Sequence, residues 1–340
     1  MRKATIKDVA REAGVSVATA SNALNNAKAV RPHTRELVME AVARLGYVPN
    51  ANGQRLRTMQ SREIGLFLDA IKDEYYGALA DSVHKVCREH HYELNICLVA
   101  DGIPIVQKLQ DHSVDGAIVF HHALDEKARQ QIKATEAPVV FLDVEERDEH
   151  VSSLLYESRL HGQMAAAYLL GMGKRRLMHV FGVRGGYDSE MRWQGFMEEL
   201  KKHGIPEQNV ELLEGRMDQA TAFHEMRHFL QTSKPVPEAI FAANDLSAIG
   251  CIQALTEAGY RVPEDVSILG CDDIPLCAYI APGLTTIRTN FRTLGFRAAE
   301  EALRLIHGGE GRILHQSGSI VVRQSCAFGS AQQEFGKQQG

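Results

Sequence analysis

The chain has 340 residues, of which 44% are apolar and 24% are charged, and its formal net charge is −5. This length exceeds what one ordinary hydrophobic core holds and predicts two or three domains. No apolar run approaches the roughly 20 residues that a membrane-spanning helix needs, and the first residues lack the pattern of a secretion signal. Membrane insertion and export are therefore not expected, and the protein is predicted to stay in the cytosol.

The cysteines and histidines do not form a recognisable disulfide or metal motif. The six cysteines include no C-x-x-C pair, and most lie in apolar contexts that are typical of buried, reduced thiols. The adjacent pairs His90-His91 and His121-His122 point in different directions on a helix or strand, which favours solvated histidines over a metal site. We therefore expect no metal and no cofactor.

Charge is distributed unevenly along the chain. Residues 1–62 contain eleven Lys or Arg and four Asp or Glu, a net charge of +7, whereas the remaining 278 residues carry −12. A basic head on an acidic body favours a polyanion as the partner of the head alone.

The beginning of the chain predicts two short helices joined by a tight turn. Thr5 and Asp8 form a variant of the capping box, the next apolar residues recur at helical spacing, and Gly14 marks the end. Ser16 is placed to cap a second helix over 17–25, which is small and polar. This order of helix, glycine-containing turn and polar second helix is a helix-turn-helix pattern, in which the second helix enters a DNA major groove about 12 Å wide.

Two further helical segments follow in the head. Pro32 at a first helical position predicts a third helix, which ends at Gly46 and closes a small core. Asn50 is placed to cap one or two helical turns over 50–57, and so short a helix is marginal in water by itself.

From residue 64 onward, short apolar runs alternate with helical patterns. The predicted strands are 64–68, 94–99, 116–120, 139–142, 177–181, 239–242 and 266–269. The predicted helices lie near 75–90, 160–172, 189–203, 218–232 and 245–258. This alternation predicts an α/β body with doubly wound parallel sheets, long enough for two Rossmann-like lobes. The polar segment 330–340 is expected to be a disordered tail without leucine heptads.

Several motifs together resemble the lactose/galactose repressor (LacI/GalR) family. Residues 5–21, TIKDVAREAGVSVATAS, carry the most specific match. Further matching motifs are Leu24-Asn25, Thr34-Arg35, Gly46-Tyr47-x-Pro49-Asn50, Leu56, Arg192-x-x-Gly195-Phe196, Ala243-Asn244-Asp245, Gly270-x-Asp272-Asp273 and Leu284-Thr285-Thr286-Ile287. The resemblance implies an all-α helix-turn-helix head on a two-lobed, periplasmic-binding-protein-like effector domain. It further implies a transcriptional regulator, most commonly a repressor, that binds a pseudo-palindromic operator as a homodimer.

The pattern and the resemblance together divide the chain into domains. We expect a DNA-binding domain over 1–49, a hinge helix and linker over 50–61, an effector-binding and dimerisation domain over 62–329, and the tail. Within the effector domain, lobe 1 is expected at about 62–156 and 289–318, and lobe 2 at about 157–288 and 319–329.

By the same resemblance, the second helix reads base edges in the major groove. The remaining DNA-contacting residues are expected to hold phosphates or the neighbouring DNA backbone, and such contacts contribute affinity more than sequence specificity. The residues expected to contact DNA are Thr5, Ile6, Ser16, Val17, Ala18, Thr19, Ser21, Asn22, Asn25, Arg31, Thr34, Tyr47, Asn50, Gly53, Gln54 and Leu56. Leu56 is the candidate wedge that enters the minor groove.

Two residues depart from the family pattern in the head. Asn22 stands where relatives usually carry Arg, and since Asn pairs with adenine whereas Arg pairs with guanine, we expect A·T at that operator position. A solvated Asn22 without a base contact is the alternative. Gly53 stands where Ala is usual, and because Gly costs about 1 kcal/mol relative to Ala in a helix, the free hinge is expected to be loose.

Polar residues at strand ends are candidates for effector binding, because ligands of doubly wound sheets lie beyond the carboxyl ends of the strands. The resemblance adds two tyrosines and a methionine to these polar residues. The full set of candidates is Asp69, Tyr75, Tyr76, Asp143, Arg192, Met217, Asn244 and Asp272. This set favours a polyol, and the effector is expected to be a sugar, a sugar derivative or a nucleoside. Each polar residue of this set could instead cap a helix or support the lobe structure without binding the effector. That structural role is the one expected for Asp245 and Asp273. Many sugar-binding relatives have Trp where this chain has Met217, which disfavours a simple pyranose.

Two other classes of protein share parts of this pattern. A periplasmic-type solute-binding protein would have the two-lobed body but would need a signal peptide and no head. A carbohydrate-active enzyme would need paired carboxylates, and the cluster Gly182-x-x-Gly185-Gly186 has neither dinucleotide nor P-loop spacing. We therefore expect a cytoplasmic, nucleoid-associated regulator, not an enzyme, whose partners are double-stranded operator DNA and a small-molecule effector.

Overall fold

The structure is a computed structural model, and it describes residues 4–25, 30–47, 60–71, 74–121 and 124–326. The chain forms two compact units, Met1–Ser61 and Arg62–Gly340, which are treated separately below. The predicted hinge helix over 50–57 and the predicted tail over 330–340 lie outside the described residues.

The first unit contains three helices at the predicted places. They are α1 (Ile6–Glu12), α2 (Val17–Asn25) and α3 (Pro32–Leu45). Small and branched side chains fill the core between them, namely Val9, Ala10, Ala20, Ala23, Val38 and Ala41. Because alanines line the contact, the three helices approach closely around a core of only a few side chains.

Local hydrogen bonds set the helix ends of this unit as predicted. The backbone N–H and the hydroxyl of Thr5 both donate to the Asp8 carboxylate, at 3.0 and 2.7 Å, which forms the capping box of α1. The backbone N–H of Thr19 donates to Ser16 Oγ at 3.0 Å and begins α2. Gly46 has φ +58° after α3, a left-handed conformation that glycine adopts without steric cost.

The second unit alternates strands and helices. Its strands are β1 (Glu63–Leu68), β2 (Glu93–Leu98), β3 (Gly116–Phe120), β4 (Val139–Leu142), β5 (Val151–Tyr156), β6 (Leu177–Phe181), β7 (Val210–Glu214), β8 (Ala239–Ala242), β9 (Ser267–Asp272), β10 (Thr285–Arg288), β11 (Ile313–Gln316) and β12 (Ser319–Val321). Its helices are α4 (Glu74–Glu89), α5 (Ile103–Gln110), α6 (Glu126–Lys133), α7 (Ser158–Gly171), α8 (Tyr187–Lys202), α9 (Gln219–Leu230), α10 (Asp245–Glu257) and α11 (Phe291–Ile306). No helix in the described part of the chain is long and apolar enough to span a membrane.

These strands form two sheets of six strands each. The first has the order β11-β5-β4-β3-β1-β2 and the second the order β12-β10-β9-β8-β6-β7. All pairings are parallel except that of β10 with β12, which is antiparallel. Because β11 returns to the first sheet and β12 to the second, the chain passes between the two sheets three times. The predicted fold class, a helix-turn-helix head with a doubly wound two-lobed α/β body, is confirmed.

The predicted strands and helices are found within a few residues of their expected bounds, but several elements were missed. These are β5, β7, β10, β11, β12, α5, α6 and α11. Strand β5 (VSSLLY) carries two serines although all six of its residues are buried. The serines are satisfied by distant partners: Ser152 Oγ donates to the Glu301 carboxylate at 2.6 Å, and Ser153 Oγ donates to the carbonyl of Glu146. Periodicity alone does not reveal a buried strand of this kind.

Candidate functional site

Helix α2 presents a small, polar surface to solvent. Val17, Ala18 and Asn22 are exposed, whereas Ala20 and Ala23 are buried against the other two helices. The helix carries no acidic residue in its first turn, so nothing in that turn opposes the approach of a phosphate backbone. A helix with this surface can lie in a major groove and bring Asn22 to the base edges.

The other residues predicted to contact DNA have different surroundings. Ile6, Thr19 and Ser21 are partly buried on α1 and α2, and Asn25 is the last residue of α2. Thr5 and Ser16 form helix caps, and Thr34 and Tyr47 are partly buried near the two ends of α3. Arg31 is exposed at the N-cap of that helix, where its guanidinium is open to solvent. Four predicted contacts lie outside the described residues: Asn50, Gly53, Gln54 and Leu56.

In the body, a cavity of about 600 Å³ lies between the two sheets, and all eight residues predicted for effector binding line it. Asp69 and Asp143 follow β1 and β4 of the first sheet, while Asn244 and Asp272 stand at the ends of β8 and β9 of the second. The cavity is therefore built from the carboxyl ends of strands in both lobes, as expected for a doubly wound fold. Arg192 was expected at a strand end, and this was wrong: it lies in the second turn of α8.

Arg192 forms the floor of the cavity and is only 2% exposed. Its Nη1 donates to the carbonyl of Ala243 at 2.8 Å, and its Nη2 lies 3.4 Å from the Asp188 carboxylate. The Nε–H of Arg192 has no hydrogen-bond partner among the described residues. A buried donor without a partner costs free energy.

Two carboxyl groups meet across the cleft beside Arg192. The backbone N–H of Asp188, in the first turn of α8, donates to Asp143 Oδ1 at 3.0 Å, and Ser158 Oγ donates to Asp188 Oδ1 at 2.5 Å. Burial and the neighbouring Asp188 carboxyl raise the pKa of Asp143 well above its ordinary value, against the opposing effect of Arg192.

Aromatic rings form one wall of the cavity. The ring centroids of Tyr75 and Tyr76 lie 5.7 and 5.8 Å from that of Phe120, and the Tyr75 hydroxyl lies 3.2 Å from the Tyr156 hydroxyl. Burial and the adjacent Tyr156 raise the pKa of Tyr75, so both groups stay neutral hydroxyls. Such a wall offers flat apolar surface with polar edges, which suits the face of a sugar ring or a base.

Asn244 lines the cavity and also has the capping role that the sequence analysis offered as the alternative to effector binding. Its Oδ1 accepts from the backbone N–H of Ser247 and caps α10, while its Nδ2 donates to the carbonyl of Met217 at 3.2 Å. Met217 and the preceding Arg216 both have positive φ, +57° and +52°, in the turn after β7. Asn244 therefore caps α10 and also stabilises the turn in which Met217 lines the cavity.

Several cavity residues were missed by the sequence analysis. They are Phe120, Tyr156, Val183, Gly186, Asp188, Ser189, Arg216, Asp218, Gln219, Leu246 and Ile274. Asp188 precedes Arg192 by four residues on one helix face, and this i,i+4 spacing of opposite charges could have indicated it. Asp218 is the N-cap of α9, where its carboxylate accepts from the backbone N–H of Thr221.

The two carboxylates expected to be scaffold have that role. Asp245 is fully buried, accepts the Thr286 hydroxyl at 2.6 Å and accepts the backbone N–H of Ile274 at 3.0 Å. Asp273 accepts from Arg288 and Arg323, each at 2.6 Å. These bonds tie β9, β10 and the segment after β12 together behind the cavity.

Comparison with known proteins identifies both units. Residues 5–50 match the family of bacterial regulatory proteins, lacI family, and residues 166–326 match a periplasmic binding protein-like domain. The "Probable HTH-type transcriptional repressor ExuR" of Bacillus subtilis (strain 168) is 30% identical over 326 residues, which are 94% of this chain and 98% of that protein.

Two solved structures are also similar. The lac repressor dimer bound to operator and the anti-inducer ONPF superposes with a TM-score of 0.82 at 26% identity, over 96% of this chain and 100% of that one. A LacI family transcriptional regulator from Enterococcus faecium with bound ribose has a TM-score of 0.71 at 26% identity, over 78% of this chain and 99% of that one. With a helix-turn-helix head and a two-lobed body of this kind, the chain belongs to the lacI family of bacterial regulatory proteins and is a DNA-binding transcriptional regulator, not an enzyme.

Proposed function

We propose that this regulator represses transcription by binding a pseudo-palindromic operator as a homodimer, under the control of a small polyhydroxylated effector in the body cavity. The observation that carries the proposal is the convergence of acidic, amide, guanidinium and aromatic side chains from two sheets on one cavity of about 600 Å³. Volumes of this order are typical of small-molecule sites. The two similar structures, an operator complex and a ribose complex, support the two kinds of ligand.

The proposed DNA reader is helix α2, with Val17, Ala18 and Asn22 at base edges. The charge of the head supports this assignment, because a net +7 over residues 1–62 favours the phosphate backbone. Phosphate contacts are assigned to the remaining residues of the predicted DNA-contacting set, which orient the helix without choosing the sequence.

Exposed apolar residues on the body support a homodimer. Ile96 and Leu98 are 45% and 60% exposed on β2, the edge strand of the first sheet, and Tyr279 is 85% exposed beside the second sheet. Large apolar side chains exposed in this way favour a protein partner, and the similar lac repressor structure is a dimer. In a two-fold dimer the same face of each copy meets the other.

Effector control follows from the position of the cavity between two lobes. A ligand that contacts both sheets favours one relative orientation of the lobes, and its differential affinity for the two orientations limits how far the equilibrium moves. The corresponding domain division is 1–49 for DNA binding, 50–61 for the hinge and 62–329 for effector binding and dimerisation. Repressors of this family act on DNA in the cytoplasm, and we include nucleoid association in the proposal.

Selection from random duplex DNA tests the proposal. The full chain should enrich a two-fold symmetric site, and its affinity should fall roughly 10³- to 10⁵-fold between 50 and 200 mM salt if 6–10 phosphates are neutralised.

Two variants test the assignment of α2. Ala18→Asp should abolish binding, because it puts a carboxylate at the base edges. Met39→Asp, which adds the same charge on exposed α3, should weaken binding much less. Failure to enrich any symmetric site would reject the proposal.

A further inference from the structure

We infer that Gln316 joins the three segments that connect the two lobes into one lobe hinge, and that it is a positioning residue for lobe rotation. This inference rests on the proposed function, because effector control there requires the lobes to change their relative orientation. It adds a residue that limits which orientations the lobes can adopt.

Three short crossovers connect the lobes. The first is Glu157, between β5 of the first sheet and α7, which packs on the second sheet. The second is Thr289-Asn290, between β10 of the second sheet and α11, which packs on the first. The third is Ser317-Gly318, between β11 of the first sheet and β12 of the second. Because each crossover has only one or two residues, few backbone dihedral angles absorb a rotation of the lobes.

Gln316, the last residue of β11, is hydrogen-bonded to the other two crossovers. Its Nε2 donates to the carbonyl oxygens of Thr289 at 2.7 Å and of Asn290 at 2.8 Å in the second crossover. Its backbone carbonyl accepts from the N–H of Glu157 in the first crossover at 3.0 Å. The hydroxyl of Ser317, the next residue, donates to the Glu157 carboxylate. The residue just before the third crossover therefore links all three.

The surroundings of the Gln316 amide make its bonds hard to replace. Gln316 is only 5% exposed and Thr289 is fully buried, so bulk water does not compete freely for the amide. The two carbonyl oxygens also determine how the amide is oriented, since its NH₂ group and not its oxygen must face them. An apolar side chain at 316 would leave both carbonyl oxygens without this donor.

His161 and Gly318 fill the space between the crossovers. His161, in the first turn of α7, is fully buried, and its ring centroid lies 6.4 Å from that of Tyr156. A methyl group on the α-carbon of Gly318 would lie 2.7 Å from His161 Nε2 and 2.8 Å from the carbonyl oxygen of Arg288. Any larger residue at 318 would therefore displace the third crossover. The lobe hinge is thus closely packed as well as hydrogen-bonded.

The bonds of Gln316 differ from a contact that closes the cleft. The N–H of Asp188 donates to Asp143 Oδ1 across the cleft, and such a bond has to break when the lobes separate. The bonds of Gln316 join the crossovers to each other, so they can persist in more than one lobe orientation. Tyr156, which directly precedes the first crossover, also lines the cavity. A ligand that displaces Tyr156 would act beside the lobe hinge, and Gln316 would transmit the displacement to the other two crossovers.

Distances between spin labels on the two lobes test the inference without a ligand. The labels are attached at Glu126→Cys on α6 of lobe 1 and Glu225→Cys on α9 of lobe 2, which are both exposed positions of the full chain. Cys97→Ser removes the one partly exposed cysteine, and the other five are buried. Excess unlabelled chain leaves one labelled protomer in each dimer. Double electron–electron resonance should then give a narrow distance peak for each lobe orientation that is populated.

Two pairs of variants isolate the lobe hinge. Gln316→Met keeps the length of the side chain but removes both donated bonds, and it should broaden the peaks roughly twofold or more. Ser153→Ala is its control, because it also removes two hydrogen bonds, both with the Glu146 backbone, outside the crossovers, and it should leave the peaks unchanged. Gly318→Ala should shift the mean distance, whereas Gly171→Ala, which has open space around it, should not.

The inference is overturned if Gln316→Met keeps the wild-type peaks, or if Ser153→Ala broadens them as much, since general destabilisation would then explain the effect. An unchanged mean distance in Gly318→Ala also overturns it, and this variant decides the question if Gln316→Met does not fold. None of these distances depends on DNA, so selection of a symmetric duplex by the wild-type chain separates failure of this inference from failure of the proposed function.

Discussion

The α-carbon of Gly195 faces the carbonyl oxygen of Arg159 so closely that a methyl group at that position would overlap the oxygen. Gly195 and Gly162 let α8 and α7 pack against each other beside the cavity. We expect Gly195→Ala to lower the free energy of unfolding by about 2 kcal/mol or more, because the obstructing atom belongs to backbone that cannot rotate away. Gly171→Ala, at the end of α7 with open space around it, should be neutral or stabilising by up to about 1 kcal/mol. Urea unfolding of both variants checks the difference, and equal stabilities would contradict it.

Asp245 should be essential for the stability of lobe 2. In Asp245→Ala the Thr286 hydroxyl and the Ile274 N–H both lose their buried acceptor, and we expect a loss of roughly 2–4 kcal/mol. Glu257→Ala is the control, since its exposed carboxylate contacts only the Gln253 amide at the end of α10 and should matter little. Denaturant titrations give both values. If Asp245→Ala were as stable as the control variant, other groups would have to accept the hydrogen bonds of the Thr286 hydroxyl and the Ile274 N–H.

The stability of the body should fall on mild acidification because of His179. This imidazole is fully buried among the rings of Trp193, Phe196 and Phe241, and burial lowers its pKa to about 3. Below pH 6.5 the unfolded chain gains a proton that the folded chain does not bind. Stability from this residue should therefore decline by about 1.4 kcal/mol per pH unit as the pH falls from 6.5 towards 3.

His179→Leu should remove that part of the pH dependence, as measured by urea unfolding between pH 7 and 5. Met178→Leu, a core substitution in the same strand that does not titrate, should shift stability equally at each pH. If the slope of His179→Leu matches that of the wild type, the acid sensitivity comes from elsewhere, with His161 as the next candidate because burial lowers its pKa to about 3 as well.

Asn22 should determine which base pair is preferred at the operator position that it contacts. We expect Asn22→Arg to change the preferred pair from A·T to G·C, with a bidentate contact worth about 1–3 kcal/mol. His33→Arg adds the same charge on exposed α3 and should strengthen binding to all duplexes without changing the preferred base. Duplex selection with the three proteins checks this, and a wild type that already prefers G·C there would contradict it.

Gly53 lies outside the described residues, and its prediction rests on helix propensity alone. Gly53→Ala should tighten operator binding and blunt release by the effector, because a helix that orders on DNA costs about 1 kcal/mol less to form with Ala. Fluorescence anisotropy with and without an active effector measures both quantities. Unchanged affinity would argue against a coil-to-helix transition in this segment.

The sequence by itself determined the parts of this protein whose hydrogen bonds are local. The capping box of Thr5 and Asp8, the cap of Ser16 and the left-handed Gly46 involve residues a few positions apart, and all three helices of the head were predicted within their bounds. The strand-end candidates Asp143 and Asp272 were predictable for a similar reason, because parallel strands bring their carboxyl ends to one edge.

Only the tertiary structure decided which distant groups meet. Asp188 pairs with Asp143 over 45 residues of sequence, and Arg192 reaches the cavity floor from a helix instead of a strand end. The serines of β5 are buried because Glu301 and the Glu146 carbonyl accept from them, which no local pattern reveals. Burial and the neighbouring Asp188 carboxyl raise the pKa of Asp143, and both effects depend on packing between segments far apart in the chain.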